Sequence, residues 1–424
     1  VEAKLALRVA AAPVLVGAAV ACVLDGRARA AADQAQGPFL LVAGLLLLGL
    51  VADRDGVFRW ASGRLLSVTT RPRRLLTMAL ALIAVVTALL NLDTAVVFLT
   101  PILLGAARGA GVDEEPFLYG SVLMANASSL LLPGANLTNL LVLADEPASG
   151  ATFALRVLPA AMAAALVTAA LLLLHQARRS RTTSPAGREP RVEGSGPSVM
   201  GSHGSAPEGA QGAEKPVAES GPPAVAGPGP SPDVAGSGPA GGVRALGAAA
   251  CAVAAALVLA LPHPGIPVLA VGLTAAAVRI QQRRFTAAAA VQAVGPLALA
   301  TLFALSVLLG LLARAWSGPA DLLATASAWE TCAIGALAAV GVNNLPAAVL
   351  LSAAPPPHPR ALLLGLNLGP NLAVTGSLSA YLWFKAARAA GAQPSARRFT
   401  RIGAPMAVAA MLAGLATIAL VGPA

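Results

Sequence analysis

The chain has 424 residues, 57% hydrophobic and 11% charged, with a mean hydropathy of +0.74; that is too apolar for a water-soluble domain and points to a polytopic, all-α membrane protein. Its formal net charge of +10 does not imply nucleic acid, because the basic residues sit at the ends of apolar runs rather than along one face. Cys22, Cys251 and Cys332 are scattered through apolar segments with no CxxC or Cys/His cluster, so neither a disulfide framework nor a zinc site is supported and no cofactor is expected.

A spanning helix needs about 20 mainly apolar residues. The first candidates are Leu5 to Leu24 and Pro38 to Ala52. Lys4 and Arg8 before the first run, with Ala28-Arg29-Ala30 after it, also suit a cleaved leader; a retained helix preserves the charge alternation of the loops and is the preferred reading. Leu75 to Ala107 is too long for one span and is broken at Asn91-Leu92-Asp93. It is either two full spans with a tight turn or a re-entrant hairpin whose arms meet at mid-membrane. Arg71, Arg73 and Arg74 before it and Arg108 after it favour the hairpin. Phe117 to Leu143 is interrupted at Asn126-Ala127-Ser128-Ser129 and at Asn136-Leu137-Thr138-Asn139, as a discontinuous helix would be, and Phe153 to Leu174 follows.

From Gln176 to Gly242 the composition turns to Gly, Pro, Ser and Ala. Such a segment cannot bury enough apolar surface to offset its ordering entropy, so a disordered cytoplasmic linker is expected there. Beyond it lie Ala245 to Leu261, Gly265 to Arg279 and Pro296 to Leu312. A second broken stretch, Leu322 to Ala353, is interrupted at Asn343-Asn344-Leu345-Pro346. Ala361 to Phe384 carries Asn367 and Ser377-Leu378-Ser379, and Ile402 to Val421 ends the series.

The interruptions correspond between the halves. Ten residues separate Asn126 from Asn136 and Asn367 from Ser377, and six separate Phe153 from Pro159 and Phe399 from Pro405. Paired, polar-interrupted apolar segments mark a secondary transporter built from inverted-topology repeats, each with a re-entrant hairpin and a discontinuous helix. The domains expected are a first transmembrane repeat over 1–175, the linker over 176–242 and a second repeat over 243–424. The positive-inside rule puts Arg71, the linker and Arg397 on the cytoplasmic side of a plasma membrane, and Asp145, Glu146 and His263 outside. Arg27, Arg29, Arg314 and Arg360 run against it.

Breaks at membrane depth leave backbone groups unpaired, and half-helix amino ends carry partial positive charge. Asn91, Asn126, Asn136, Asn139, Asn343, Asn344, Asn367, Asn371, Thr375 and Ser377 are therefore the candidate substrate-binding residues, although any one of these amides also suits a helix cap. Asp93 is the conspicuous acid in such a segment and the candidate for proton coupling, or else a cap at the hairpin tip. Glu330 ranks behind it, near the mouth of the second hairpin. The three cysteines read as core residues rather than ligands. None of Lys4, Lys215 and Lys385 lies in GxxxxGK[ST], so an ATPase enters only as a separate subunit. His175, His203, His263 and His358 show no catalytic or metal spacing, and an enzyme is not expected.

The chain resembles the ion transporter superfamily, and most closely its arsenite/antimonite efflux permeases. The likeness runs through Val51-Ala52-Asp53-Arg54-Asp55-Gly56-Val57-Phe58-Arg59-Trp60, Asp93-Thr94-Ala95 with Leu99-Thr100-Pro101, Gly265-Ile266-Pro267-Val268, Asn343-Asn344-Leu345-Pro346, and Leu368-Gly369-Pro370 with Gly376-Ser377-Leu378. It departs where those permeases commonly carry an acid and this chain has Asn126, where they carry Asp before Leu-Gly-Pro and it has Asn367, and where they carry Lys after Gly-Pro and it has Asn371. The resemblance implies export of arsenite or antimonite coupled to protons or membrane potential. Related branches carry dicarboxylates, citrate, or sodium and protons, so a small anion or sodium/proton exchange is the alternative.

Overall fold

The computed structural model describes residues 2–143, 149–183 and 245–421. The loop expected outside at Asp145 and Glu146, and the linker beyond Thr183, lie outside the described residues. Every regular element described is helical. The first half runs α1 (Glu2–Leu24), α2 (Gly26–Arg54), α3 (Val57–Val68), α4 (Pro72–Leu89), α5 (Leu92–Gly109), α6 (Glu115–Ser128), α7 (Leu137–Val142) and α8 (Gly150–Thr183). The second runs α9 (Ala245–Ala260), α10 (Gly265–Gln281), α11 (Ala287–Val294), α12 (Pro296–Ala315), α13 (Gly318–Ala324), α14 (Ala328–Val342), α15 (Asn344–Leu351), α16 (Pro359–Leu368), α17 (Leu378–Ala389) and α18 (Ala396–Val421). Among the described residues, six helices are long and apolar enough to cross a membrane.

The span expected from Pro38 begins earlier, at Gly26, because Asp25 caps it: the Asp25 carboxylate accepts the Arg27 N–H at 2.7 Å. The segment expected as linker from Gln176 starts as helix, since α8 continues to Thr183. Its end is anchored. Gln176 donates to the carbonyl of Pro72 at the start of α4 (3.2 Å), and Arg179 bonds Asp113 in the loop after α5. Glu115, at the start of α6, accepts from Arg179 (2.9 Å) and from Arg398 of α18 (2.8 Å), and meets His175 at 3.2 Å. Burial alone would raise the Asp113 carboxyl. The Arg179 side chain, the Glu115 N–H and the charges of Arg179 and His175 nevertheless hold it below its ordinary value. A depressed carboxyl stabilises above its unfolded pKa and loses that contribution as pH falls through the folded one, so this tie is intact at neutral pH.

These contacts define one face of the molecule. The opposite face is set by Gln34 of α2, which accepts from Arg314 near the end of α12 (2.8 Å) and donates to the carbonyls of Leu141 in α7 (3.2 Å) and Ser352 after α15 (3.3 Å). A cavity opens there, lined by Gly150 at the start of α8. From Gly150 to Arg179 the helix covers about 40 Å at 1.5 Å per residue. Hence α4 and α5 begin and end at the Glu115 face, while α15 returns to the cavity face. The two broken helices run oppositely: α6 to α7 from the Glu115 face to the cavity face, α16 to α17 the other way, with Arg360 of α16 lining the cavity and Ala390 after α17 accepting from Arg108 (2.6 Å).

Among the contacts that join the halves, three lie outside the broken helices. α8 packs along α18, and α2 along α10. The second contact is backbone to backbone: a Cβ on Gly272 would lie 2.7 Å from the Gly44 carbonyl oxygen, and one on Gly265 2.5 Å from that of Gly37. Small residues that let backbones touch are the membrane's substitute for a hydrophobic drive between helices. The third is a buried ion pair, Asp55 Oδ2 with Arg279 Nη2 at 2.6 Å, to which the Gly247 N–H also donates at 2.8 Å. Asp55→Ala strands the Arg279 guanidinium and is expected to cost about 3–5 kcal/mol, read as a lowered midpoint of thermal unfolding in detergent. An unchanged midpoint would remove this pair as a tie between the halves.

Candidate functional site

The two breaks are built alike. In the first, α6 ends at Ser128, whose hydroxyl donates back to the Met124 carbonyl (2.7 Å), and Ser129 donates to that of Asn126 (2.8 Å), which satisfies carbonyls at the helix end. A single 3-10 turn over Pro133–Ala135 follows. Asn136 is then extended (φ −147°, ψ 137°) and caps α7, its Oδ1 accepting the Thr138 N–H at 3.3 Å. In the second, 3-10 turns over Gly369–Asn371 and Val374–Gly376 lead to Ser377, also extended (φ −153°, ψ 154°), whose hydroxyl caps α17 at Ala380 (3.3 Å). The equal ten-residue spacing therefore joins equivalent positions: the last turn of one half-helix and the cap of the next.

Where the broken helices cross, their amides bond one another. Asn367 Oδ1 accepts from Ser129 and from Asn136, both at 2.6 Å, while its Nδ2 donates to Asn139 Oδ1 (2.9 Å) and to the Leu363 carbonyl (2.8 Å). Asn126 donates to Asn371 Oδ1 at 2.7 Å, and Asn371 donates to the Leu123 carbonyl at 3.0 Å. Asn139 donates to the carbonyls of Ser129 (2.7 Å) and Leu132 (3.2 Å). Asn126, Asn139 and Asn367 are 0% exposed. Five of the expected binding residues are thus one cluster, and in this conformation they are largely each other's partners. Asn126 Oδ1 has no partner among the described residues.

The hairpin tips form a second cluster. Asn91 caps α5, its Oδ1 accepting the Thr94 N–H at 2.7 Å, and its buried Nδ2 has no partner among the described residues. Asp93, in the first turn of α5, accepts from the hydroxyl of Ser379 in the first turn of α17 at 2.6 Å. Asn343 caps α15 and donates to the Thr375 carbonyl, each at 3.4 Å, while the Thr375 hydroxyl donates to Val340 (2.9 Å). Asn343 has φ 77° and ψ 149°, a region that disfavours side chains and costs of order 1–3 kcal/mol. Asn344 beside it is buried. Both tips therefore reach the same break, and the amino ends of α5, α15 and α17 converge there. Glu330 belongs elsewhere: it closes a capping box with Ser327 at the exposed start of α14.

The cavity, about 500 Å³, touches this core at Pro133 and Asn139. Among the described residues, its charged or titratable lining groups are Asp33, Arg156, His263, Arg314 and Arg360. In the sequence Arg314 and Arg360 stand out only as exceptions to the charge pattern, and nothing there signals Ser129 as a bridging hydroxyl or Asp55 and Arg279 as a pair. Among the described residues no group of His, Cys, Asp and Glu is placed to hold a metal ion.

A model of the citrate transporter family matches residues 3–366 of the chain. The chain belongs to that family. No match to a curated protein is found. As a citrate-transporter-family permease it is a membrane secondary transporter of a small solute, which agrees with the superfamily reached from the motifs and does not single out the arsenite branch.

The crossing has a measurable hierarchy. Asn367→Ala leaves Ser129, Asn136 and Asn139 short of a partner, at about 1–3 kcal/mol for each buried group left unpaired, whereas Asn126→Ala strands Asn371 Oδ1 alone. The midpoint of thermal unfolding should fall further for Asn367→Ala; equal or reversed losses would contradict this order of bonding.

Proposed function

We propose that this permease carries a small carboxylate anion of the citrate type, coupled to protons, through two inverted-topology repeats. The observation that carries this is the meeting of three helix amino ends, those of α5, α15 and α17, at the break between α16 and α17. Each amino end presents unpaired N–H groups and about half a positive charge, which favours an anion. Neutral arsenous acid, expected from motif likeness, gains less from that field than an anion does. The family match supports the anion alternative. Re-entry of the two hairpins from opposite sides is supported by their ends on opposite faces and by their tips at one break, as alternating access about a central site requires.

Asp93 supplies the coupling. It sits in the first turn of α5 beside Ser379, so an anion seated among the three amino ends and an ionised Asp93 repel each other. Anion and proton then bind together and leave together. Asn343, Asn344, Thr375 and Ser377 hold the substrate directly, while Asn126, Asn136, Asn139, Asn367 and Asn371 set the crossing on which the site rests and Asn91 fixes the first tip.

Uptake of radiolabelled citrate by proteoliposomes, against succinate, arsenite and sodium, tests the substrate class: citrate or succinate should accumulate under an inward proton gradient, and arsenite accumulation without either would contradict the reading. Asp93→Asn should leave the protein inserted yet make the remaining flux independent of pH. If flux and pH dependence are both unchanged, Asp93 is a cap and the coupling lies elsewhere.

A further inference from the structure

The short helix α3 begins and ends at one face of the molecule. From Gln34 at the cavity to Arg54, α2 covers about 30 Å at 1.5 Å per residue, so α3 starts at the Glu115 face. There α4 also starts, with the Pro72 carbonyl bonded to Gln176. A helix of 12 residues between those two points crosses nothing and lies along the surface. Phe58 and Leu65 turn inward, while Arg59, Trp60, Arg64 and Val68 are exposed, and Arg64 Cζ stands 5.9 Å from the centre of the Trp60 ring. An exposed Trp among arginines on a short two-faced helix is the composition of one that rests in the headgroup layer of a bilayer.

Where α3 gives way to α4, a groove opens at the same level. Thr69, Arg73, Arg74 and Thr77 form its polar side, and Met78 of α4 with Leu173 of α8 its apolar side. Both arginines are exposed, and neither bonds a carboxylate among the described residues. Thr69 Oγ1 accepts the Arg71 N–H at 3.1 Å, which leaves its hydroxyl hydrogen to donate to an anion. Guanidinium forks bind phosphate oxygens in pairs. The two sides of the groove suit two parts of one molecule, a phosphate on the arginines and its glycerol and acyl carbons against Met78 and Leu173.

We propose that this groove binds the phosphate of an anionic glycerophospholipid from the leaflet at the Glu115 face, with α3 resting among the neighbouring headgroups. The apolar wall favours a lipid over a free phosphate. The seat at the start of an apolar helix, beside exposed Trp60, favours it over an acidic stretch of protein such as that around Glu189 and Glu193 in the chain itself.

Native mass spectrometry of the full chain, released from micelles holding equal amounts of phosphatidylglycerol and phosphatidylcholine, reads the preference. The first lipid retained should be phosphatidylglycerol by about ten-fold, as basic groups at a membrane surface favour anionic lipid. Arg73→Gln with Arg74→Gln should remove that preference. Arg283→Gln with Arg284→Gln takes the same charge from exposed residues after α10, near the Asp55–Arg279 pair, and should leave it. The midpoint of thermal unfolding in lipid-free detergent should be unchanged in both double variants, because all four side chains are exposed. Equal retention of the two lipids by the unaltered chain would overturn the proposal. So would equal losses in the two double variants, which would make the attraction one of overall charge. Displacement of the lipid by excess inorganic phosphate would assign the groove to a free phosphate and overturn it too. Glu189→Gln with Glu193→Gln should change nothing; a preference that appears only in that variant would mean that the chain's own acids fill the groove, against the proposal.

Discussion

Hydrocarbon offers no water to a broken helix, so every backbone and amide group exposed by a break must find a partner in the protein. Asn367 meets that demand for both halves at once. Its oxygen takes donors from Ser129 and Asn136 and its nitrogen serves Asn139 and its own helix, so the end of α16 is bonded into the break between α6 and α7. The reciprocal bond from Asn126 to Asn371 closes the arrangement. Once the crossing is set, the broken helices lie in opposite senses, and α5 packs on α17 while α15 packs on α7. Each half therefore completes the other. The convergence of amino ends at the second break follows from this exchange.

The bonds are not equally firm. Those of the crossing run from 2.6 to 2.9 Å between side chains, whereas Asn343 holds its tip by two contacts of 3.4 Å and a strained backbone. Distances beyond the ordinary 2.7–3.2 Å range mark weaker hydrogen bonds, and local strain gathers at sites whose conformation changes. At the second hairpin tip Asn343 is therefore held by longer bonds than those of the crossing. Outside the crossing the halves are also joined by the α2–α10 glycine contact, the Asp55–Arg279 pair and the α8–α18 packing, and Arg398 of α18 bonds Glu115.

Much of this was legible in the sequence. Asn91 and Asn343 announce the hairpin breaks because an Asn that caps a helix inside an apolar run has few other uses there, and the ten-residue spacing from Asn126 and from Asn367 announces equivalent breaks. The partners were not legible. Asn126 and Asn371 are 245 positions apart, and Asp55 and Arg279 are 224; local pattern carries no record of which distant groups meet. For the same reason the amides read as open ligands for a solute, where the folded chain has them bonding each other. Glu330, read from the sequence as lying near the mouth of the second hairpin, caps the exposed start of α14. The short helices α3, α11 and α13 fell below the length at which apolar periodicity is distinctive.

The alternating access proposed here depends on the opposite entry of the hairpins, since without it the meeting of their tips would serve no transport cycle. Single cysteines at Arg71, which precedes α4, and at Ala354, which follows α15, each in a cysteine-free chain, report it directly through a membrane-impermeant maleimide applied to intact cells. Labelling of the cysteine at 354 with protection of that at 71, and the reverse in inverted vesicles, is the predicted result. Labelling of both from the same side would contradict it.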